Sequence, residues 1–470
     1  MHRLIAFSAS SLFALVSAVA AGQAPPTIEP ELLDSYAGEL DDSFRWELAE
    51  TYDPRAGARA FTLDLTSQTW RGPGEVSHPQ WTHMLQVIVP EDADGGTALL
   101  VIGGGSRREE PPRHVEEAVF QIALAAGTPV VYLPNVPNQP MEIRGDGERR
   151  YEDDLLAETI MAYAETDDPT WVIHLAMAKS AVAAMTATEQ FLSSRKDLPD
   201  VEEFVIAGAS KRGWTTWLAA AVDDRVRAIV PIVIDVLNLQ ATMRHHYGAY
   251  GFWAPAIHDY ADRGITTWFG SPKSKRLRRI LDPYLFRDRF NMPKLSLNAA
   301  GDQFFLPDTT RYYFDDLPGP TYLNIVPNAS HGMVESPDAI MSAVAFYRAI
   351  VDGAELPELS WQAGDEPGTL IVESDPSPMS ATLWQAHNPE ARDFRVAEIG
   401  AAWESTRLGA DDTGRYEISV DVPEQGFRAF FVRVRYPLDT FAFPLTFTTE
   451  VQVVPDVLPH APDVPKAPPE

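Results

Sequence analysis

Residues 204–214 have the sequence FVIAGASKRGW, and this stretch decides which fold the chain of 470 residues is expected to adopt. Phe204–Ala207 are apolar throughout and predict a buried strand, while the spacing of the apolar residues after Gly213 predicts a helix. Ser210 stands between the two elements, directly after two small residues. A serine on such a tight strand–turn–helix connection is held above the sheet, which is the arrangement of a nucleophile elbow.

The second glycine of this motif is displaced. The usual pattern is G-x-S-x-G, but here Arg212 occupies the place of the second glycine and Gly213 follows one residue later. Small residues are needed at this turn because a side chain there would collide with the strand or the helix. Taken alone, the segment is therefore also compatible with a structural Gly-Ala-Ser turn.

Two further residues supply the partners that a nucleophilic serine needs. Asp302 follows the predicted strand Leu295–Asn298, and His331 follows the next predicted strand, Tyr322–Val326. The order Ser, Asp, His along the chain is that of the α/β-hydrolase fold, in which all three residues lie at the carboxyl edge of the sheet. We therefore expect Ser210 to be the nucleophile, His331 the base that takes its proton, and Asp302 the acid that orients the histidine.

Two other aspartates are alternative acids. Asp235 follows the preceding strand and ranks second to Asp302. Asp308 lies farther past its strand, and the sequence Pro-Asp-Thr-Thr predicts that it caps a helix instead.

An oxyanion hole requires two backbone N–H groups that point at the developing negative charge. The residue after the nucleophile, Lys211, supplies one of them in this fold. We expect the other to come from the glycine-rich loop after an early strand, at Gly104 and Gly105. A plain glycine turn is the alternative interpretation of that loop.

The two basic residues beside the nucleophile allow two interpretations. Lys211 and Arg212 could pair with an anionic group of the substrate, or with acidic residues inside the protein. We assign Arg212 to substrate binding as a prediction for the structure to test.

The wider pattern predicts a two-part chain. Over residues 21–355, buried strands alternate with helices, which predicts a mostly parallel, doubly wound sheet covered on both faces. Residues 236–292 break this rhythm and are expected to form a helical cap insertion over the site. Trp253 and Trp268 lie in that insertion and are predicted to form aromatic walls of a substrate pocket.

The C-terminal part has a different character. Residues 360–455 contain short strands separated by proline and glycine turns, which predicts a small Ig-like β-sandwich. Residues 456–470 are rich in proline and are expected to form an extended tail.

Composition excludes several classes of function. The chain has 67 acidic and 38 basic residues and a net charge of −29, so nucleic acid and anionic membrane surfaces are not expected as partners. It has no cysteine, which excludes disulfides, thiolate metal sites and cysteine nucleophiles. His245 and His246 are adjacent and do not share a helix face, so we expect no metal and no cofactor.

The first residues predict export. Residues 1–20 combine a short basic start, an apolar run and an A-x-A cleavage site, which is the pattern of a signal peptide. No later stretch is apolar enough to predict insertion into a membrane. We therefore expect a periplasmic or secreted protein.

The sequence also resembles a known family. Several strings are similar to those of the PhoPQ-activated pathogenicity-related protein family, at residues 63–70, 133–140, 208–218, 301–308, 326–331, 383–386 and 392–395. The resemblance implies an exported protein with an α/β-hydrolase core and a β-rich C-terminal part, and it implies no particular substrate. The serine turn alone is similar to that of glucuronoyl esterases, and a more distant likeness is to secreted prolyl-peptidase-type hydrolases.

These observations predict a serine hydrolase that cleaves an ester or amide bond through an acyl-enzyme. Its substrate is expected to be a small molecule, a peptide or a glycan ester, and the choice between esterase and peptidase stays open. The alternative is a secreted binding or signalling protein that keeps the fold without catalysis.

Overall fold

A computed structural model describes residues 31–333, 336–409 and 414–465. The predicted signal peptide at residues 1–20 and the last five residues of the predicted tail lie outside these ranges. Within them, no helix is long and apolar enough to cross a membrane.

The strands of the described part of the chain are β1 Arg45–Arg55, β2 Ala58–Thr69, β3 Gln80–Pro90, β4 Gly96–Ile102, β5 Val130–Leu133, β6 Val201–Ala209, β7 Val226–Ile232, β8 Lys294–Ala299, β9 Thr321–Val326, β10 Glu358–Ala363, β11 Thr369–Asp375, β12 Ser380–Asn388, β13 Glu404–Leu408, β14 Arg415–Ser419, β15 Phe427–Leu438, β16 Phe441–Thr448 and β17 Gln452–Val454. The α-helices are α1 Glu31–Ala37, α2 Glu117–Ala126, α3 Glu152–Thr166, α4 His174–Ser193, α5 Lys211–Ala220, α6 Leu239–Tyr250, α7 His258–Asp262, α8 Pro272–Leu281, α9 Pro337–Val351 and α10 Val396–Ile399.

The main sheet has a parallel centre. Its strands lie in the order β1-β2-β3-β5-β4-β6-β7-β8-β9-β16-β15-β12-β13. Neighbours from β5 to β9 along this order are parallel, and those outside this region are antiparallel. Successive residues of β6 are buried on opposite faces, with Phe204 and Ile206 in one core cluster and Val205 and Ala207 in the other. Burial on both faces explains why residues 204–207 are apolar throughout. The parallel centre and the two core clusters confirm the predicted doubly wound α/β-hydrolase sheet.

The predicted cap is helical. Between residues 236 and 292 the chain forms α6, α7 and α8, joined by short 3-10 turns. The insertion follows β7 and precedes β8. Its residues Ile265 and Leu277 line a cavity together with Ser210, which follows the carboxyl end of β6.

The C-terminal strands form a sandwich-like pair of layers, as predicted. One layer is the separate sheet β10-β11-β14. The other layer continues the main sheet, because β16 pairs with β9 at Thr448 and Leu323. Thr448 Oγ1 also accepts a hydrogen bond of 3.1 Å from the backbone N–H of Ile325. The two halves of the chain are therefore joined through one sheet.

The described part of the predicted tail does not extend away from the protein. After β17 the chain returns to the cap, where the N–H of His460 donates to the carbonyl of Gly248 at 2.8 Å. Leu458 packs against the buried residues Ala249 and Leu306, and Asp456 accepts two hydrogen bonds of 2.8 Å from Arg311. The last described residues thus fasten α6 to the core.

Candidate active site

The nucleophile elbow has the geometry that the sequence predicted. Ser210 lies between β6 and α5 with φ = +57° and ψ = −129°, a strained backbone for a residue with a side chain. A Cβ added at Gly208 would stand 2.5 Å from the carbonyl oxygen of Arg212, and one added at Gly213 would stand 2.5 Å from Ile234 Cγ2. The displaced glycine therefore stands at the place where helix and neighbouring strand approach most closely.

The three residues predicted as a triad are brought together. His331 Nε2 lies 2.9 Å from Ser210 Oγ, and His331 Nδ1 lies 2.7 Å from Asp302 Oδ2. A neutral imidazole that donates from Nδ1 to the carboxylate keeps Nε2 free to accept the serine proton. The His331 side chain is 13% exposed and that of Asp302 is 2% exposed, so the histidine can be reached and the acid is covered.

Residues next to Asp302 hold this arrangement in place, and sequence reasoning did not assign them roles. Asp302 Oδ1 accepts hydrogen bonds from the backbone N–H groups of Phe304 at 2.7 Å and Phe305 at 3.3 Å. Gln303 Oε1 accepts the N–H of His331 at 3.1 Å, and the Phe304 ring lies 4.3 Å from the imidazole. The run Gly-Asp-Gln-Phe-Phe was visible in the sequence, but only the aspartate in it carries a recognisable chemistry.

The alternative acids have other partners. Asp235 accepts a hydrogen bond from the Tyr313 hydroxyl, and burial raises the pKa of this carboxyl to about 7. Asp308 does not cap the turn that follows it. Its carboxylate is fully buried between His245 and Arg392, at 2.9 Å and 2.6 Å. Burial alone would raise the pKa of Asp308, but the Arg392 and His245 partners hold it well below its usual range.

The basic residues beside the nucleophile are paired inside the protein. Arg212 makes two contacts of 2.7 Å to the carboxylate of Glu152, and its Nε donates to the carbonyl of Val136 at 2.5 Å. Lys211 Nζ lies 2.9 Å from Glu152 and 3.1 Å from Asp153. The structure thus shows the internal pairing that the second interpretation expected, and it gives Arg212 a partner within the protein.

Glu152 connects this pair to the glycine-rich loop. Its Oε1 accepts a hydrogen bond of 2.6 Å from Gln139, which also donates to the carbonyl of Gly105 at 2.7 Å. Burial would raise the pKa of Glu152, but Arg212 and Lys211 lower it to about 2, so it is ionised at neutral pH. Sequence reasoning missed Glu152, although the acidic run at residues 152–154 is a plausible counterpart to the basic doublet.

The predicted oxyanion donors lie on both sides of the elbow. Lys211 is the first residue of α5, where a helix has no internal acceptor for the N–H group. Gly104 lies against the guanidinium of Arg212, which a Cβ would approach to 2.6 Å. The glycine-rich loop and the residues after Ser210 therefore lie in contact with each other through Arg212.

An apolar cavity of about 110 Å³ adjoins Ser210. Trp268 lines it, as predicted. Trp253 is not among the lining residues and instead packs against Phe269, at 6.0 Å between ring centroids, which does line the cavity. The two tryptophans are fifteen positions apart and lie on opposite sides of α7 in the sequence, and only Trp268 lines the cavity.

The two adjacent cap histidines have separate partners. His245 lies between Asp308 and the Tyr312 hydroxyl, each at 2.9 Å. His246 accepts the N–H of Ala254 at 3.0 Å, and burial lowers its pKa to about 3. Across residues 31–333, 336–409 and 414–465, no three His, Cys, Asp or Glu side chains are placed to hold a metal ion.

Comparison with known proteins agrees with the resemblance seen in the sequence. The model of the PhoPQ-activated pathogenicity-related protein family matches residues 33–395. Autocrine proliferation repressor protein A of Dictyostelium discoideum is 34% identical over an alignment of 456 residues, which covers 91% of this chain and 91% of that protein.

Similar solved structures have lower sequence identity to this chain. Acetyl xylan esterase 1 from Thermoanaerobacterium sp. has a TM-score of 0.46 and 15% identity, over 68% of this chain and 92% of that one. An S-formylglutathione hydrolase from Agrobacterium tumefaciens has a TM-score of 0.41 and 13% identity, over 65% of this chain and 99% of that one.

Proposed function

The chain belongs to the PhoPQ-activated pathogenicity-related protein family, and we propose that it is an exported serine hydrolase that cleaves an ester or amide bond. The observation that carries this proposal is the hydrogen-bonded series Asp302–His331–Ser210 at the carboxyl edge of the sheet. Strain at the serine backbone and a cavity beside its hydroxyl support the same conclusion.

The reaction follows from the positions of the three side chains. Ser210 Oγ attacks the carbonyl carbon of the substrate while its proton passes to His331 Nε2. Asp302 stabilises the imidazolium that results. The proton then moves from Nε2 to the leaving oxygen or nitrogen, the bond to the leaving group breaks, and an acyl-enzyme remains on Ser210. A water molecule then attacks the acyl carbonyl carbon while His331 Nε2 takes its proton. The bond to Ser210 Oγ breaks, the proton passes to Oγ, and the acid product leaves.

The negative charge on the tetrahedral oxygen needs preorganised donors. We assign this role to the backbone N–H of Lys211 and to the N–H groups of Gly104 and Gly105. Glu152 is the residue that ties the elbow to the glycine-rich loop, through Arg212 on one side and Gln139 on the other. It is a positioning residue in this mechanism.

The test is covalent labelling with a fluorophosphonate probe and mass mapping of the modified residue. We expect modification at Ser210, and no modification in Ser210→Ala or His331→Ala. Ser377→Ala is a matched control, because Ser377 is exposed and lies in the loop between β11 and β12 of the C-terminal part. Absence of labelling in wild-type protein that is folded by circular dichroism would contradict the proposal.

A second candidate function is signalling without catalysis. It is favoured by the name of the Dictyostelium relative, which describes an autocrine repressor of proliferation and aligns over nearly the full length of both chains. Adding purified wild-type and Ser210→Ala protein to growing cells of the source organism separates the two. An effect on growth that is equal for both proteins would favour signalling, and an effect that requires Ser210 would favour the hydrolase.

A further inference from the structure

The cavity beside Ser210 has apolar walls from two parts of the chain. The core contributes Trp214 and Ile234, which are buried. The cap contributes Ile265, Leu277 and Leu281, also buried. Because both sets meet around one empty volume next to the nucleophile, a group that enters it exchanges water for apolar surface.

Two of the charged groups that border the cavity, Asp153 and Lys211, pair with each other. Asp153 accepts the Tyr260 hydroxyl at 2.9 Å and lies 3.1 Å from Lys211 Nζ. Arg278 lies at the border with a second, more polar cavity, 3.9 Å from the buried carboxylate of Asp282, and its Nε has no hydrogen-bond partner in the described part of the chain. Most of the residues that line the cavity are apolar, so the apolar walls are the surface that selects the bound group.

The position of the cavity relative to the triad indicates which part of the substrate it holds. Ser210 and Lys211 line it, but His331 does not. The leaving group takes its proton from His331, and the water of the second step gives its proton to the same nitrogen. The group that stays bonded to Ser210 throughout is the acyl group, so the acyl group is the part that the cavity beside Ser210 can hold during both steps.

Resting on the proposed function, we infer that this cavity is an acyl pocket for a short, uncharged aliphatic acyl group. Its volume of about 110 Å³ limits the size, since a dry apolar cavity of about 150 Å³ is large enough to bind benzene. Acyl groups near the length of butyryl fit this limit, and chains of eight or more carbons exceed it.

The test is a series of p-nitrophenyl esters from acetate to decanoate, with a hemisuccinate ester as the charged member. Burial of each methylene predicts a rise in kcat/KM of about fourfold, and so roughly fifteenfold from acetate to butyrate. We expect decanoate and the hemisuccinate to be cleaved at least tenfold more slowly than butyrate.

Two wall variants test whether the cavity sets this preference. Trp268→Ala enlarges the pocket and is expected to move the optimum to longer esters, whereas Met243→Trp fills it and is expected to favour acetate. Trp361→Ala is the matched control, because Trp361 lies on β10 outside the cap and should leave the chain-length profile unchanged.

Fluorophosphonate labelling of Ser210, measured on the same preparations, separates the two possible failures. Labelling together with a preference for decanoate or hemisuccinate, or with an optimum that neither wall variant moves, would overturn the acyl-pocket inference and leave the proposed hydrolase in place. No labelling and no ester cleavage by folded protein would remove the proposed function and the inference with it.

Discussion

His331 with Asp302, and His245 with Asp308, are two histidine–carboxylate pairs with contacts of 2.7 Å and 2.9 Å. The first stands at the edge of the sheet, where the histidine is 13% exposed. The second joins α6 of the cap to Asp308, and both side chains are fully buried. The short contact between imidazole and carboxylate is common to both, so it does not distinguish a catalytic pair from a structural one.

The remaining partners do distinguish them. The free nitrogen of His331 faces the hydroxyl of Ser210, which has a strained backbone and a cavity beside it. The other nitrogen of His245 faces Tyr312, and Asp308 is also bound to Arg392 from the C-terminal part. A histidine–aspartate pair is therefore available for proton transfer where one nitrogen is left for a substrate-facing hydroxyl, and it is structural where every polar atom is used inside the protein.

The largest expected difference between the pairs is in turnover. Asp302→Asn should lower kcat by about 10⁴-fold, because an amide cannot hold the histidine in the required tautomer. The thermal midpoint should change little. Asp308→Asn should do the reverse, with near-normal turnover per folded molecule and a lower midpoint. Steady-state kinetics and thermal denaturation of both variants check this, and equal losses of turnover would show that the distinction is wrong.

The next effect is on stability. Arg392→Met leaves the carboxylate of Asp308 buried without its guanidinium partner, which should reduce the free energy of unfolding by about 3–5 kcal/mol. Urea denaturation measures the loss, and Arg407→Met, at an exposed position on β13, is the control. A loss no greater than that of the control would mean that the buried pair contributes little to the join between the two halves.

A smaller effect on turnover is expected from Glu152→Gln. The variant keeps the shape of the side chain but removes the charge that pairs with Lys211 and Arg212. A misplaced elbow or glycine-rich loop should lower kcat by about 10² with a smaller change in KM. The rate of fluorophosphonate labelling should fall in parallel, and Glu152→Asp should restore part of it. A change in melting temperature alone would indicate a purely structural role.

The smallest effect concerns pH. Burial raises the pKa of Asp235 to about 7, above its value in the unfolded chain of about 3.9. The folded protein therefore holds this proton more tightly, and the contribution to stability is lost as the pH rises from about 4 through 7. Asp235→Asn should flatten this part of the pH dependence. Denaturation of both proteins at pH 5, 6, 7 and 8 tests it, and identical slopes would contradict the expectation.

The sequence predicted the triad because each of its members is marked locally. Ser210, Asp302 and His331 each follow a strand of the parallel sheet, and the order of the strands determines that they meet. The alternating elements predicted the parallel sheet for the same reason. Local patterns carry this information because burial on both faces requires strands that are apolar throughout.

Partners that are distant along the chain could not be predicted in this way. Glu152 is sixty positions from Arg212, and Arg392 is eighty-four from Asp308. Each of these charged residues has many candidate partners of opposite sign, and only the fold brings the correct two together. The interpretation of Asp308 as a helix cap was wrong for this reason. The local sequence favours a turn, and it does not indicate that Asp308 pairs with the distant Arg392.

The pairing of β16 with β9 also bears on how far the C-terminal layer can be treated as a separate module. Ending the polypeptide at residue 355 would turn β9 into an exposed edge strand and uncover Tyr322, whose ring stacks 4.3 Å from Phe447. An open edge with aromatic side chains promotes association between copies. The shortened protein should therefore precipitate rather than persist as a smaller hydrolase, and the C-terminal layer acts as a built-in protection of the core against aggregation.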